Sequence, residues 1–411
     1  MTDDAPSKHA LAFIFIAMLI DTIGLGIIIP VTPKLIAQLT HQGMGAAAVW
    51  GGWLSMVYAL MQFLCAPIIG NLSDRFGRRP VLILSIAMLG IDYAITGLAP
   101  TIAWLFIGRF LSGAAGASYS TANAYIADVS PPEKRAANFG LTGAAFGIGF
   151  VLGPVIGGII GDYFGPRTPF FVSAVFALCN AIYGLVVLKE SLPPSRRRAF
   201  ELWRANPLGA LKSMQRFPMF AGMIGVVALM RLAHDANPSI WSYYTILKFH
   251  WTPAQVGYSL MAVGISISLV FGFLTRIIIP RIGEMTSVIV GLACAAVGFF
   301  GYAYATQGWM LFVWLPIWSL SGLATPSINA ILSKQVGPHE QGELQGALAS
   351  IGGLTSIVAP ALMTNLFGYF TSGRAPIYFP GASFFTAALC ELGAMAIFFA
   401  MLQRAAPQPA E

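Results

Sequence analysis

The sequence predicts an all-α membrane protein of twelve transmembrane helices in two pseudo-symmetric six-helix bundles. Three observations predict it. Of the 411 residues, 57% are hydrophobic and only 9% charged, against about 25% charged in a soluble domain, so lipid is the main solvent. The apolar residues fall into twelve runs near the length of about 20 that spans a hydrocarbon core. The two halves also repeat each other at one constant offset.

The runs cover 9–31, 49–71, 80–99, 101–124, 137–160, 168–189, 218–240, 253–276, 284–305, 309–332, 344–369 and 380–402. Continuous apolar runs satisfy their backbone in lipid as helices; the strands of a barrel would alternate instead. The first run follows a short polar stretch, contains Asp21 and has no small-residue cleavage site. It therefore reads as a span and not a signal peptide.

Orientation follows from Lys and Arg. One side collects Lys8, Arg75, Arg78, Arg79, Lys134, Arg135, the 189–216 segment, Arg276, Arg281, Lys334 and Arg404. The other holds Lys34, Arg167, Lys248 and Arg374. The first side is expected to be cytoplasmic, with both termini there. The net charge of +7 thus reads as topology and gives no reason to expect nucleic acid. Cys65, Cys179, Cys294 and Cys390 lie singly in apolar runs and read as packing residues, with no disulfide or metal site expected.

The longest loop carries Pro193-Pro194 and Arg196-Arg197-Arg198. It divides the chain into an N-terminal bundle (1–189), a cytoplasmic linker (190–217) and a C-terminal bundle (218–411). Across that linker Pro132 matches Pro338, Pro154 matches Pro360, Asn123 matches Asn329, and Arg75-Phe76-Gly77 matches Arg281-Ile282-Gly283. Such repeats mark secondary transporters, with a substrate site near the bilayer midplane.

Several residues carry candidate chemistry. The turn Gly70-Asn71-Leu72-Ser73-Asp74-Arg75-Phe76-Gly77-Arg78-Arg79-Pro80 joins a glycine hinge to one acid and three guanidiniums. Asp74 is expected to cap a neighbouring helix, and the arginines to pair with acids such as Asp128 in a gating contact. Asp21 and Asp92 lie near mid-span, where burial favours a proton on a carboxyl. Arg109 sits in the outer third of its span, as a coupling residue or a hydrogen-bond hub. The seventh span holds Arg231, His234 and Asp235; Arg231 faces the other two at i+3 and i+4 on a helix. Histidine suits proton exchange, so His234 and Asp235 are candidates for proton coupling and Arg231 for the substrate cavity; the alternative is an internal Arg231–Asp235 ion pair. Glu391 in the twelfth span reads as structural. Asn123, Asn329 and Trp241 are candidates for a substrate cavity, Trp241 with packing as its alternative.

The 70–80 turn resembles the loop signature of the major facilitator superfamily. Gly149-Phe-Val-Leu-Gly153-Pro154-Val-Ile-Gly157-Gly158 resembles the Gly-Pro antiporter motif of its drug:proton members. Leu19-Ile20-Asp21-Thr22, Tyr58-Ala59-Leu60-Met61-Gln62, Asp92-Tyr93, Gly108-Arg109-Phe110-Leu111-Ser112-Gly113 and Ile126-Ala127-Asp128 resemble the tetracycline-efflux antiporters. The resemblance implies export of lipophilic, tetracycline-like drugs by alternating access, driven by a proton gradient without another cofactor. It implies proton roles for Asp21, Asp92 and Arg109, and a cavity role for Gln62. Asp74, Arg75, Arg78 and Arg79 match its gating loop. A monomer in a bacterial inner membrane is the expected setting. The chain departs from the resemblance in lacking an acid at Ala293-Cys294-Ala295-Ala296 and a histidine at Gly264–Ser268. A symporter or facilitator importing a metabolite is the alternative. No nucleophile elbow, metalloprotease motif or P-loop points to an enzyme or an ATP-driven pump.

Overall fold

A computed structural model describes residues 8–116, 118–200, 218–337 and 340–405. The 201–217 part of the expected linker and Pro338 lie outside the described residues. All regular structure among the described residues is helical.

The main helices are α1 (Lys8–Ile28), α2 (Thr32–Thr40), α3 (Met44–Phe76), α4 (Arg78–Leu98), α5 (Ile102–Ala115), α6 (Ser118–Val129), α7 (Arg135–Phe164) and α8 (Thr168–Val187). They continue with α9 (Pro218–His234), α10 (Ala236–Phe249), α11 (Pro253–Leu269), α12 (Thr275–Ile282), α13 (Glu284–Tyr304), α14 (Trp309–Ser319), α15 (Ala324–Ser333), α16 (Gln341–Thr371) and α17 (Ala382–Ala405). Ten helical runs among the described residues are long and apolar enough to cross a bilayer. The chain is therefore a multi-pass membrane protein.

The other two predicted spans are interrupted. The 101–124 run is split into α5 and α6 at Gly116. The 218–240 run is split into α9 and α10 at Asp235, and its helical continuation extends to Phe249. Pro238 explains the second break. It has no N–H to bond the carbonyl of His234, so the ladder fails there.

The chain falls into two compact units. The first comprises 1–47, 57–206 and 251–264; the second comprises 48–56, 207–250 and 265–411. Their borders differ from a simple cut at the linker because two helix ends change sides. In the first unit, the start of α11 packs on α7: a Cβ on Gly158 would meet the Pro253 carbonyl, and one on Gly257 the Pro154 carbonyl. In the second, the start of α3 packs on α16 and α10. A Cβ on Gly52 would meet Thr364 and the Pro360 carbonyl, and one on Gly51 the Tyr243 ring.

The first unit has a core of Phe13, Ile14, Met18, Leu82, Ile86, Tyr125 and Ile126. Its tightest seam joins α1 to α7. A Cβ on Gly149 would meet Thr22, one on Gly153 the Ile23 carbonyl and Gly26, and one on Gly157 the Ile27 backbone. Small residues at such spacing let two backbones touch, the usual solution where lipid gives helices no hydrophobic push together. The second unit is built around Met223, Val226, Leu292, Ile328, Leu344 and Phe398.

Candidate functional site

Each unit sets a fully buried carboxyl beside a basic side chain, and those pairs are the chemically distinctive features of the helices. In the first unit Asp92 on α4 is fully buried (0% exposed). Arg109 on α5 donates from Nη2 to Asp92 Oδ2 at 2.5 Å. Thr96, one turn along α4, donates to Asp92 Oδ1 at 3.4 Å. Glycine at position 108 makes room, because a Cβ there would run into that same oxygen.

The arginine is held from its other side. Its guanidinium lies 5.7 Å from the Tyr58 ring centroid on α3, a cation–π distance. Gln62 donates to the Gly116 carbonyl (2.9 Å) and lies 3.4 Å from the Tyr58 hydroxyl. The half-buried Asp21 on α1 lies within electrostatic reach of both Tyr58 and Tyr93, as do Asp92 and Arg109. The structure thus gathers Asp21, Gln62, Asp92 and Arg109 into one region. Asn123 lies apart, accepting from Thr142 at 3.3 Å. Tyr58 and Thr96 complete the region. The i+4 spacing of Thr96 from Asp92 was the readable signal for the threonine.

The three ionisable residues of the seventh span lie within electrostatic reach of one another, but their side chains take different partners. Arg231 is exposed and Asp235 half-buried. Asp235 sits at the break, with its N–H still on the Arg231 carbonyl at 3.0 Å, and Ser356 lies 3.5 Å from its carboxylate. His234 turns elsewhere: Nδ1 lies 3.1 Å from Glu391 Oε1 on α17, and Nε2 lies 3.0 Å from Ser321 Oγ. Glu391 was read from sequence as structural, and nothing in its local pattern names a partner so far away along the chain. Trp241 is 3% exposed and packs edge-on against Tyr302 and Phe384. It belongs to an aromatic core and does not line open space. Asn329 is half-buried on α15.

The 70–80 turn is a network. Gly77 has φ +107°, a conformation that favours glycine. Arg78 pairs with Asp74 (2.7 Å) and Asp128 (3.1 Å) and donates to Ser73. Arg79 donates to the Leu185 carbonyl, and Arg75 stacks on Phe76. The expected helix cap by Asp74 is corrected, because Asp74 lies inside the last turn of α3. Glu190 caps α4 instead, accepting from the N–H groups of Arg78 (2.8 Å) and Arg79 (3.3 Å). Gly70 lines a shallow hollow with Pro67, Asn71, Asp74 and Arg198.

A family model described as Major Facilitator Superfamily matches residues 14–360. The chain belongs to that superfamily. It is similar to "Tetracycline resistance protein, class C" of Escherichia coli, 38% identical over 88% of this chain and 90% of that protein. It is also similar to the class G protein of Vibrio anguillarum, 36% identical over 86% and 89%. Among solved structures, a bacterial homologue of the human lysosomal transporter Spinster in an inward-facing, unoccupied conformation superposes with TM-score 0.79 at 16% identity, covering all of both chains. The human organic anion transporter MFSD10 (TETRAN) superposes with TM-score 0.67 at 20% identity, covering 97% of this chain and all of that one. The two likenesses are of fold.

Proposed function

We propose that this protein is a proton-driven efflux antiporter of lipophilic small molecules, with tetracycline-like drugs as the first class to test. It works by alternating access as a monomer in a bacterial inner membrane, and both termini are cytoplasmic. The observation that carries the reading is the buried Asp92–Arg109 pair with Asp21 close by, in a chain 38% identical to a tetracycline resistance protein. Buried ionisable groups in a membrane are costly and mark functional sites.

Asp21 is assigned the exchangeable proton, because Asp92 is committed to Arg109. A proton on Asp21 removes one negative charge near Arg109 and the Tyr58 hydroxyl. Any state that faces the more acidic compartment then gains the proton, and the drug is bound by the state that has lost it. Gln62 holds Tyr58 and the Gly116 turn in place beside that exchange. Arg78, Asp74 and Asp128 form the gating contact at the ends of α3, α4 and α6. Alternating access requires such a contact to break and re-form.

Everted membrane vesicles given an inside-acid pH gradient test this. Wild-type vesicles should accumulate tetracycline, and addition of the drug should consume part of the gradient. Asp21→Asn should reduce that accumulation to background while the protein still runs as a single species in detergent. Full gradient-driven accumulation by Asp21→Asn would overturn the role of Asp21. Accumulation of a metabolite in the opposite direction would replace export by import.

A further inference from the structure

Resting on the proton-driven reading above, we propose that His234 and Glu391 form a second proton-binding site within the C-terminal helices. His234 Nε2 is the atom that gains and loses the proton, and Glu391 is the fixed counter-charge.

The assignment of atoms follows from the partners. His234 Nδ1 lies 2.9 Å from the Met230 carbonyl. A carbonyl only accepts, so Nδ1 carries a hydrogen in either charge state. The exchangeable proton is therefore the one on Nε2. Its neighbour, Ser321 Oγ at 3.0 Å, is a hydroxyl and can serve both states. It accepts from Nε2–H in the imidazolium and donates to Nε2 in the neutral ring.

Glu391 is placed to feel that proton and little else. It is 0% exposed, and its Oε1 lies 3.1 Å from His234 Nδ1, which also lies 2.9 Å from the Met230 carbonyl. A sealed carboxylate is costly to ionise unless a cation faces it. The imidazolium 3.1 Å away is that cation. Phe299 and Trp318 pack on the histidine ring at 6.2 and 5.8 Å and keep the local dielectric low, which strengthens the attraction. Other titratable groups facing the pair are Arg231 and Asp235 on α9 and its break, Cys390 on α17 and Tyr302 on α13.

The balance is simple. The pair holds a net charge of zero with the proton on Nε2 and one negative charge without it. The proton comes from and returns to water, through Ser321 or past the open edge of the ring. The His234 side chain is 29% exposed, whereas Glu391 is sealed. The histidine is therefore the partner with an uncovered face, and the acid has none.

The test uses purified full-length protein in detergent and needs no drug. Imidazolium quenches a nearby indole, so Trp318 reports the charge on His234. Wild type should show a step in tryptophan emission with pH that is missing in Trp318→Phe and in His234→Gln. In Glu391→Gln the step should move by about one pH unit or more, the scale on which one buried partner charge acts. A merely structural pair would give no such step. A step that survives His234→Gln, or one unchanged in folded Glu391→Gln, would overturn the proposal. If Glu391→Gln does not fold, the wild-type and His234→Gln traces decide it. Wild type that titrates in this way but couples no drug to protons in vesicles would remove the efflux reading and leave the pair standing.

Discussion

The turn after α3 and its repeat after α12 have one backbone and opposite charges. Gly77 and Gly283 occupy equivalent places, with φ of +107° and +79°. Arg78 and Glu284 follow them as the first residues of α4 and α13. Arg78 pairs with Asp128 at 3.1 Å, and Glu284 pairs with Lys334 at 2.7 Å, the partners again being equivalent in the repeat. The helix dipole favours an acid at an N-terminus. Glu284 suits that place. Arg78 does not, and in the first unit Glu190 supplies the missing negative charge at the α4 N–H groups. The repeat thus preserves the shape of the turn, while each half chooses its own charges. The buried pairs go further and have no counterpart at all. Gly298 and Leu315 stand where the repeat would put Asp92 and Arg109, and Ile28 and Leu185 where it would put His234 and Glu391.

The largest effect should come from breaking the more tightly bonded pair. Arg109→Ala leaves Asp92 buried with only Thr96 as donor. Removing one partner of a buried pair typically costs about 3–5 kcal/mol, so the thermal transition in detergent should fall sharply. Replacing both partners, in Asp92→Asn with Arg109→Gln, should recover part of that loss. His234→Ala should cost less, because its contact with Glu391 is the longer of the two, 3.1 Å against 2.5 Å. A larger loss for His234→Ala than for Arg109→Ala would reverse the ranking of the two pairs.

The two glycines sharpen the comparison at a smaller scale. Alanine at either position meets the same positive φ, a penalty of about 1 kcal/mol. At Gly77 the added Cβ would also run into the Glu190 carboxylate, whereas nothing lies within 4 Å of a Cβ at Gly283. Gly77→Ala should therefore lose the α4 cap as well, about another 1 kcal/mol. Equal destabilisation of the two variants in a denaturant or thermal series would mean that Glu190 adds nothing to the fold.

Much of this was legible in the sequence, and the rest was hidden for physical reasons. The spans and the repeat were readable because lipid imposes one pattern on every helix. Gly149, Gly153 and Gly157 stood out in the sequence as a motif, but their role in the α1–α7 seam did not, because glycine at helical spacing signals close approach without naming the partner helix. The break at Asp235 was written in Pro238, but apolar residues continued across it and masked the stop. The partners of His234 and of the α4 N-terminus were invisible. A buried pair needs only one residue from each helix, and no local pattern says that His234 meets Glu391. Glu190 looked like the first residue of a linker, since a cap supplied from outside the helix leaves no mark in the capped segment. Arg231, His234 and Asp235 looked like one cluster because helical spacing alone places them together. They do stay within electrostatic reach, but His234 is held by Glu391 and Ser321, partners that no helical spacing names.

The smallest effect should be found in the repeated surface pairs themselves, and it separates the halves again. Lys334 is 69% exposed and Glu284 27%, so Glu284→Gln should change stability by no more than a few tenths of a kcal/mol, about the median for exposed pairs. Arg78 is only 14% exposed and also holds Asp74 and Ser73. Asp128→Asn should therefore cost more, roughly 0.5–1 kcal/mol, and added salt should weaken it less because a half-buried pair is screened less. Melting curves of both variants at low and high salt read this directly. If Glu284→Gln proves as costly and as salt-resistant as Asp128→Asn, the two turns are equivalent in energy as well as in shape, and the reversed charges are only two solutions to one structural need. If the costs separate as expected, the first turn alone has the stored interaction that a gate must break and re-form.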